Sequence, residues 1–322
     1  RELNLAGSLS ENLDIKLGRQ VLTWGTGDYL FLNDVFAKDW QSFFSGRDDE
    51  YLKSHTDGLK LSYYWQDLGI DLVWSPKFNA DTYITGERFS FFSPFMSQQI
   101  APSNEFIVEE QNSDTFALRL TVPVYGTDVA MYFNKGFWNT PQAINNIGTP
   151  YFAELNTIGV SAQRAIGKGL VNFEWSYYKS EEDENGEYSN IPNSQARYLI
   201  GYEQELVKDV TASIQAYVEK TKHYEALIKN SANPQFENKE NRTLVTSRVT
   251  YNTLQQKLRF SLFTFYSPSD SDWYVRPSVS YRASDTWNFA LGANLFNGNY
   301  DYSFFGQHRD NSNVYLRVRY SL

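Results

Sequence analysis

The sequence predicts an all-β protein folded as a transmembrane antiparallel β-barrel. Three observations lead to this prediction: apolar and polar residues alternate along nearly the whole chain, the alternating segments are long, and short turns alternate with long loops between them. The chain has 322 residues, no cysteine and 23 each of Tyr and Phe. It contains no run approaching the roughly 18–20 apolar residues that a membrane-spanning helix requires.

The alternation is clearest around residue 174. The odd positions there are large and apolar and the even positions between them are polar, as in Val171, Phe173, Trp175 and Tyr177 around Asn172, Glu174 and Ser176. A β-strand places such sets on opposite faces of its sheet. We therefore expect the first set to face lipid and the second to face a lumen.

About 15 segments of this kind run along the chain, and most are about 9–12 residues long, the length that a tilted strand needs to cross a bilayer. Bacterial single-chain barrels have even strand numbers. We therefore expect about 16 strands, with one strand before Arg1 and with 14 as the alternative if one segment is a loop. Residues 1–322 then form a single barrel domain that lacks one N-terminal strand.

The connections support the same prediction. Short turns are expected at Ser10–Asn12, Gln66–Gly69, Tyr125–Asp128, Gly167–Gly169, Lys208–Asp209, Leu254–Gln256 and Ala283–Asp285. Longer loops are expected at roughly 25–56, 79–114, 139–154, 181–193, 224–240, 267–272 and 298–310. Outer-membrane barrels have short periplasmic turns and long extracellular loops. Pro123 and Pro277 lie inside strands and predict bulges there, because proline donates no ladder hydrogen bond.

A soluble β-sandwich or a lipocalin-like barrel is the alternative, because these folds also alternate, with the apolar face inward. Such a protein would have to bury 8 Trp and many Tyr in one core. A membrane barrel instead places these residues at its two interfaces. Several aromatic residues fall near predicted strand ends, as an interface requires: Trp65, Trp74, Trp138, Tyr177, Tyr202, Trp273, Trp287 and Tyr320.

One local motif resembles a known family. Gly18-Arg19-Gln20-Val21-Leu22-Thr23-Trp24-Gly25 is followed by Asn33-Asp34 and by Phe43-Phe44-Ser45-Gly46-Arg47-Asp48-Asp49-Glu50. This pattern resembles the alginate-export-like porin families of bacterial outer membranes, in which a Gly-Arg-Gln strand and Trp-Gly open a long loop. The closing Tyr320-Ser321-Leu322 resembles the terminal signal that the barrel-assembly machinery reads. The resemblance implies a porin-like barrel and does not identify a substrate.

The inward-facing set divides into two predicted walls. The last five strands contribute a basic wall of Arg248, Lys257, Arg259, Arg276, Arg282, Arg317 and Arg319. The preceding strands contribute an acidic wall of Glu174, Glu203, Glu205 and Glu219, with Arg197 as a basic exception. The excess of positive charge favours anionic or zwitterionic solutes in a wet pore. The alternative is that the charges pair across the lumen and plug it.

Two predicted loops are rich in aromatic residues. The first contains Trp40, Phe43 and Phe44, and the second contains Phe89, Phe91, Phe92, Phe95 and Phe106. Exposed apolar patches of this size are rare on proteins in water. We therefore expect Trp40, Phe43 and Phe44 to form a constriction loop that folds into the mouth. The alternative is that these loops pack against lipopolysaccharide or a partner protein.

Other functional classes find little support in the sequence. His55, His223 and His308 have no metal-ligand spacing, and Ser261 and Ser280 have no histidine in register, so neither an enzyme nor a cofactor or metal site is expected. Calcium could bind acidic loop residues such as Asp270, Asp272 and Asp301, but we expect these residues to be solvated loop charges instead. The formal net charge of -9 argues against nucleic-acid binding. Acidic runs such as Arg47-Asp48-Asp49-Glu50 predict solvated loops.

Together these features favour a channel in the bacterial outer membrane for small polar or anionic solutes or for an acidic polysaccharide. The alternative is a scaffold barrel that sheathes or anchors a periplasmic partner, such as a cytochrome or an export lipoprotein. The expected surroundings are outer-membrane lipid and lipopolysaccharide, with the barrel-assembly machinery needed during biogenesis. A periplasmic or extracellular protein partner is compatible with either function.

Overall fold

The computed structural model describes residues 2–101 and 107–321. Its β-strands are β1 (Leu3–Ser10), β2 (Leu13–Gln20), β3 (Thr56–Trp65), β4 (Leu68–Ser75), β5 (Phe91–Ser93), β6 (Gln98–Ile100), β7 (Thr115–Val124), β8 (Thr127–Phe137), β9 (Ala143–Ile144), β10 (Pro150–Tyr151), β11 (Glu154–Ile166), β12 (Gly169–Ser180), β13 (Gln195–Val207), β14 (Val210–Thr221), β15 (Asn241–Thr253), β16 (Leu258–Ser267), β17 (Asp272–Arg282), β18 (Trp287–Gly298) and β19 (Asn313–Tyr320). The helices are α1 (Trp40–Phe44) and α2 (Tyr224–Asn230), and 3-10 turns lie at Asp49–Tyr51, Pro234–Phe236 and Gly306–Asn311.

Fifteen of these strands form one antiparallel sheet in which neighbours follow chain order. The short strands form two separate ribbons, β5 with β6 and β9 with β10. The predicted all-β, antiparallel fold is therefore confirmed. The edges of the sheet are β1 and β19, which do not pair with each other among the described residues. The sixteenth strand that the sequence analysis placed before Arg1 stays a prediction.

Tight turns join the strands at one end of the sheet. Gln66, Tyr125 and Asp209 have positive φ there, as the two-residue turns of β-hairpins require. The predicted bulges at Pro123 and Pro277 are wrong, because the pairing register passes both residues without a shift. Register shifts occur instead between Ser8 and Ser10 and between Glu205 and Val207. The β17–β18 ladder is interrupted at Arg276 and Pro277 and resumes in the same register.

The two faces of the sheet differ as the alternation predicts. Phe173 is 41% exposed on the outer face, whereas the next residue, Glu174, has no exposed surface. Large apolar residues recur on the outer face along most strands, including Met131, Phe133, Ile158, Ile200, Ile214, Val249, Leu262, Leu291 and Leu316. A surface of this composition suits hydrocarbon rather than water.

Spin labels at residues 173 and 174 test this assignment of faces. A label at 173 is expected to be quenched by a lipid-soluble relaxant, whereas a label at 174 is expected to be protected, because a one-residue step reverses the face of a strand. Continuous-wave EPR in liposomes gives the two accessibilities. Equal accessibility at both positions would contradict the assignment.

The sheet is strongly curled. Phe36 packs in one cluster with Val73 of β4, and the ring of Phe44 lies 4.9 Å from that of Phe296 of β18. These strands are ten positions apart in the sheet order, so a flat sheet would separate them by roughly 48 Å. The eight peptide units from Phe36 to Phe44 span at most about 29 Å. The sheet therefore curves around this segment.

No helix within residues 2–101 and 107–321 is long and apolar enough to cross a membrane.

Not every aromatic residue near a strand end lies at an interface. Trp138, which follows β8, is only 3% exposed and packs with Leu155 and Tyr178 in an inner cluster. Its predicted place in an interfacial girdle is therefore wrong. Trp65, Trp287 and Tyr320 are exposed on the outer surface, where the prediction placed them.

Candidate functional site

The connection between β2 and β3, residues 21–55 and here called L1, folds into the lumen. Its first anchor is Glu174, a fully buried carboxylate on the inner face of β12. That carboxylate accepts hydrogen bonds from both the backbone nitrogen and the hydroxyl of Thr26, from the nitrogen of Gly27 at 2.8 Å and from the amide of Asn33 at 2.7 Å. A Cβ at Gly25 would lie 3.0 Å from the same carboxylate, and this residue has φ +79. Glycine therefore allows L1 to turn closely over Glu174.

Two ion pairs hold L1 against the basic wall. Arg248 binds Asp28 through two hydrogen bonds of 2.7 and 2.8 Å. Arg276 binds Asp49 at 3.2 Å. Burial disfavours ionisation of Asp49, but Arg276 and the hydroxyl of Tyr29 outweigh it and hold the pKa of Asp49 below its usual value. This carboxylate is therefore ionised at neutral pH.

The acidic run that follows extends the contact to β19. Asp48 lies 2.5 Å from Arg317 and 3.2 Å from Arg319, and Glu50 also lies 3.2 Å from Arg319. This run was predicted to be a solvated loop, and the side chains of Asp49 and Glu50 are indeed about half exposed, but the loop folds inward against the wall. L1 thus supplies carboxylate partners to both arginines of β19.

The aromatic residues of L1 pack against an aromatic stretch of the wall. Phe43 and Phe44 are buried, and the ring of Phe44 lies 5.7 Å from that of Tyr274 and 4.9 Å from that of Phe296. Each edge-to-face pair of this kind adds about 0.5–1.5 kcal/mol to the burial of the rings. The predicted constriction residues Phe43 and Phe44 thus lie inside the lumen. Trp40 is half-buried beside them.

Asp81 ties L1 to the following long connection. It accepts hydrogen bonds from the backbone nitrogen of Lys38 at 2.7 Å and from the indole nitrogen of Trp40 at 2.8 Å. Burial raises the pKa of Asp81 to about 6, although Lys38 opposes the shift. L1 is therefore fastened on its outer side as well as on its lumen side.

L1 divides the remaining space into an outer and a lower part. The outer part is a chamber of about 840 Å³ with largely aromatic walls, among them Phe31, Trp40, Phe92 and Trp138. The lower part comprises three adjoining cavities of about 490, 560 and 410 Å³. Arg259 lines all three of them.

Every residue of the predicted basic wall lines the lower cavities: Arg248, Lys257, Arg259, Arg276, Arg282, Arg317 and Arg319. Four of them pair with L1, as described above. The side chains of Lys257, Arg259 and Arg282 have no ion-pair or hydrogen-bond partner within the described parts of the chain. The cavity of about 560 Å³ that these three share has no carboxylate among its described lining residues.

The predicted acidic residues do not form one wall. Glu174 anchors L1, Glu219 pairs with Arg197 at 3.3 Å in the outer chamber, and Glu203 lines a lower cavity. Glu205 lies apart from them at the β13–β14 turn, where it accepts a hydrogen bond from the nitrogen of Asp209. The basic wall thus finds its carboxylate partners in L1 rather than in these glutamates.

Several inward-facing charged residues were not predicted from the sequence as parts of the site. Asp71 of β4 binds Lys60 at 3.1 Å and Arg119 at 2.5 Å, and Arg242 of β15 binds Asp270 at 3.1 Å. Lys60, Asp71, Arg119 and Arg242 all lie at inward-facing positions of their strands. The alternation that identified the basic wall therefore also identifies them. In contrast, no periodicity marks the loop carboxylates of L1.

The second aromatic loop contributes to the same interior. Phe89 belongs to the aromatic cluster of L1, and Phe91 and Phe92 line the outer chamber. Phe95 also lines this chamber but is 57% exposed. Phe106 lies outside the described residues. In the part of the chain that the structure covers, no group of three or more His, Asp or Glu side chains is placed to hold a metal ion.

No protein-family model matches the chain, and no curated protein matches its sequence. Solved structures are similar over nearly its whole length. OccAB3 of Acinetobacter baumannii superposes with a TM-score of 0.52 at 11% identity, covering 96% of this chain and 74% of that one. OpdQ of Pseudomonas aeruginosa superposes with a TM-score of 0.52 at 11% identity, and the match covers 90% of this chain and 75% of that one. OccK10 (OpdN) of Pseudomonas aeruginosa superposes with a TM-score of 0.50 at 12% identity, and the match covers 97% of this chain and 81% of that one.

These three structures are outer-membrane porins. At such low identities the likeness concerns the fold, so the chain has the β-barrel fold of a porin. The similarity to alginate-export-like porins in particular stays a prediction.

Proposed function

We propose that the chain is a channel of the bacterial outer membrane that conducts small anionic solutes. The observation that carries this proposal is the group of three unpartnered cations, Lys257, Arg259 and Arg282, around one lower cavity. A basic lumen bounded by low-dielectric walls raises the local concentration of anions. The porin fold and the apolar outer face support the location in the membrane.

The balance of charge in the lower lumen supports the same preference. Among the described lining residues of its three cavities, eight side chains are basic and five are acidic. The acidic partners Asp28, Asp48, Asp49 and Glu50 all come from L1 and meet only some of the arginines. A positive excess therefore remains for mobile anions.

The scaffold alternative has less support. A sheathed partner would need the interior that L1 already occupies, and Phe43 and Phe44 narrow the lumen at that level. An acidic polysaccharide would likewise have to displace L1 before it could pass. Small solutes require no such displacement of the whole loop.

Reversal potentials test the proposed function. The purified full chain is expected to insert into planar bilayers and, under a KCl gradient, to give a reversal potential of the sign that chloride preference produces. The preference is expected to weaken as ionic strength rises, because salt screens the fixed charges over a Debye length of about 10 Å at 0.1 M. A cation-selective pore, or a chain that never conducts, would exclude this function.

A further inference from the structure

Tyr29 marks the boundary between the two parts of the lumen. The outer chamber of about 840 Å³ and the lower cavity of about 410 Å³ lie on opposite sides of L1. Among the described residues, Tyr29 is the only one that lines both. Tyr29 therefore lies where the outer chamber and this lower cavity meet.

Packing and one hydrogen bond hold the ring in place. Tyr29 is buried, and its ring lies edge-on to Phe43 at 4.8 Å and to Phe263 at 4.7 Å. Its hydroxyl donates to the carboxylate of Asp49. Burial raises the pKa of Tyr29, so the phenol is neutral and remains a donor. A hydrogen bond to an ionised acceptor is stronger than one between neutral groups.

The carboxylate that holds Tyr29 is itself held by the basic wall. Asp49 binds Arg276 at 3.2 Å, and the neighbour of Tyr29 in sequence, Asp28, binds Arg248 at 2.7 Å. The guanidinium carbons of Arg248 and Arg276 lie 4.8 and 5.4 Å from the centroid of the Tyr29 ring. They are therefore at most about 10 Å from each other. Both arginines are thus within reach of one small molecule beside Tyr29.

We propose that Tyr29 is the gate between the two parts of the lumen and that dianionic solutes open it. This inference rests on the proposed anion channel and adds how its path is opened. A short dicarboxylate that binds Arg248 and Arg276 takes the places of Asp28 and Asp49. The Tyr29 hydroxyl then loses its fixed acceptor, and L1 loses two of the ion pairs that hold it against β15 and β17.

A monocarboxylate is a weaker opener for a physical reason. Asp49 is tethered to the site, so its effective concentration is in the mM range that is usual for tethered groups. A single free carboxylate competes poorly with it at similar concentration. A solute with two carboxylates gains a second contact without a second loss of translational freedom, and it displaces both loop acids together.

Single-channel recording of the full chain tests the gate. Sodium succinate is expected to raise the open probability of the unaltered protein, and sodium acetate at equal ionic strength is expected to have little effect. Tyr29→Phe keeps the ring and removes the hydroxyl. It is expected to raise the open probability roughly tenfold without succinate, the equivalent of about 1.4 kcal/mol. Tyr29→Ala is expected to stay open and to ignore succinate.

Tyr188→Ala serves as the matched control, because Tyr188 is 58% exposed and lines neither part of the lumen. Its open probability and its response to succinate are expected to equal those of the unaltered chain. A Tyr29→Phe protein that gates normally, or succinate that only blocks the current, would overturn the gate while leaving anion selectivity intact. If the unaltered chain and all variants fail to conduct, the proposed function fails and the gate fails with it.

Discussion

Replacing residues 36–46 by a short Gly-Ser linker is expected to raise the single-channel conductance several-fold. This segment of L1 contains α1 and the buried rings of Phe43 and Phe44, which narrow the lumen where they pack against the wall. Its removal also eliminates the two hydrogen bonds that Asp81 accepts from L1. The sheet itself should persist, because the strands pair with each other and not with this segment. Planar-bilayer recording measures the conductance, and circular dichroism checks that the strands remain.

The control for this prediction is a linker that replaces residues 145–148. These residues lie between β9 and β10, and Ile147 among them is 86% exposed. They line none of the cavities described above. The control should conduct as the unaltered chain does. A conductance that stays the same or falls after replacement of residues 36–46 would show that L1 does not limit the path.

The strands could be predicted from the sequence because period-two alternation is a local property. Val171 to Tyr177 give the face of β12 without reference to any other strand. The number of strands in the described sheet follows from counting such segments. The inner aromatic residues were harder to assign, because Phe263 and Phe265 of β16 face inward while Phe260 and Leu262 of the same strand are exposed. Where both faces are apolar, alternation no longer distinguishes them.

The inward fold of L1 was predictable only in outline. Its aromatic content implied burial, but nothing local to Asp48 or Asp49 indicates an arginine more than 200 residues away. Such pairs depend on the curl of the sheet and on how the loop closes, which are properties of the whole chain. The same limit explains Trp138, whose position near a strand end suggested an interface although its ring lies in an inner cluster.

Removing charge from the basic wall provides the second large expected effect. Replacement of Arg259 and Arg317 by Ser is expected to shift the reversal potential toward cations. Arg259 has no ion-pair partner among the residues that the structure describes, so its loss lowers the positive excess directly. Loss of Arg317 removes the cation that lies 2.5 Å from Asp48. The negative charge of that carboxylate is then less neutralised. Both changes therefore act in the same direction.

The single variants separate the two contributions, and Arg164→Ser is the matched control. Arg164 pairs across β11 and β12 with Val171, on the outer face of the sheet, and it lines none of the three lower cavities. Its replacement should leave the reversal potential unchanged. The shift in the double variant should be largest at low salt, because fixed charges in the lumen act over a Debye length that grows to about 30 Å at 0.01 M. A double variant that keeps the selectivity of the unaltered chain would show that the carboxylates of L1 and the outer loops, rather than the basic wall, determine which ions enter.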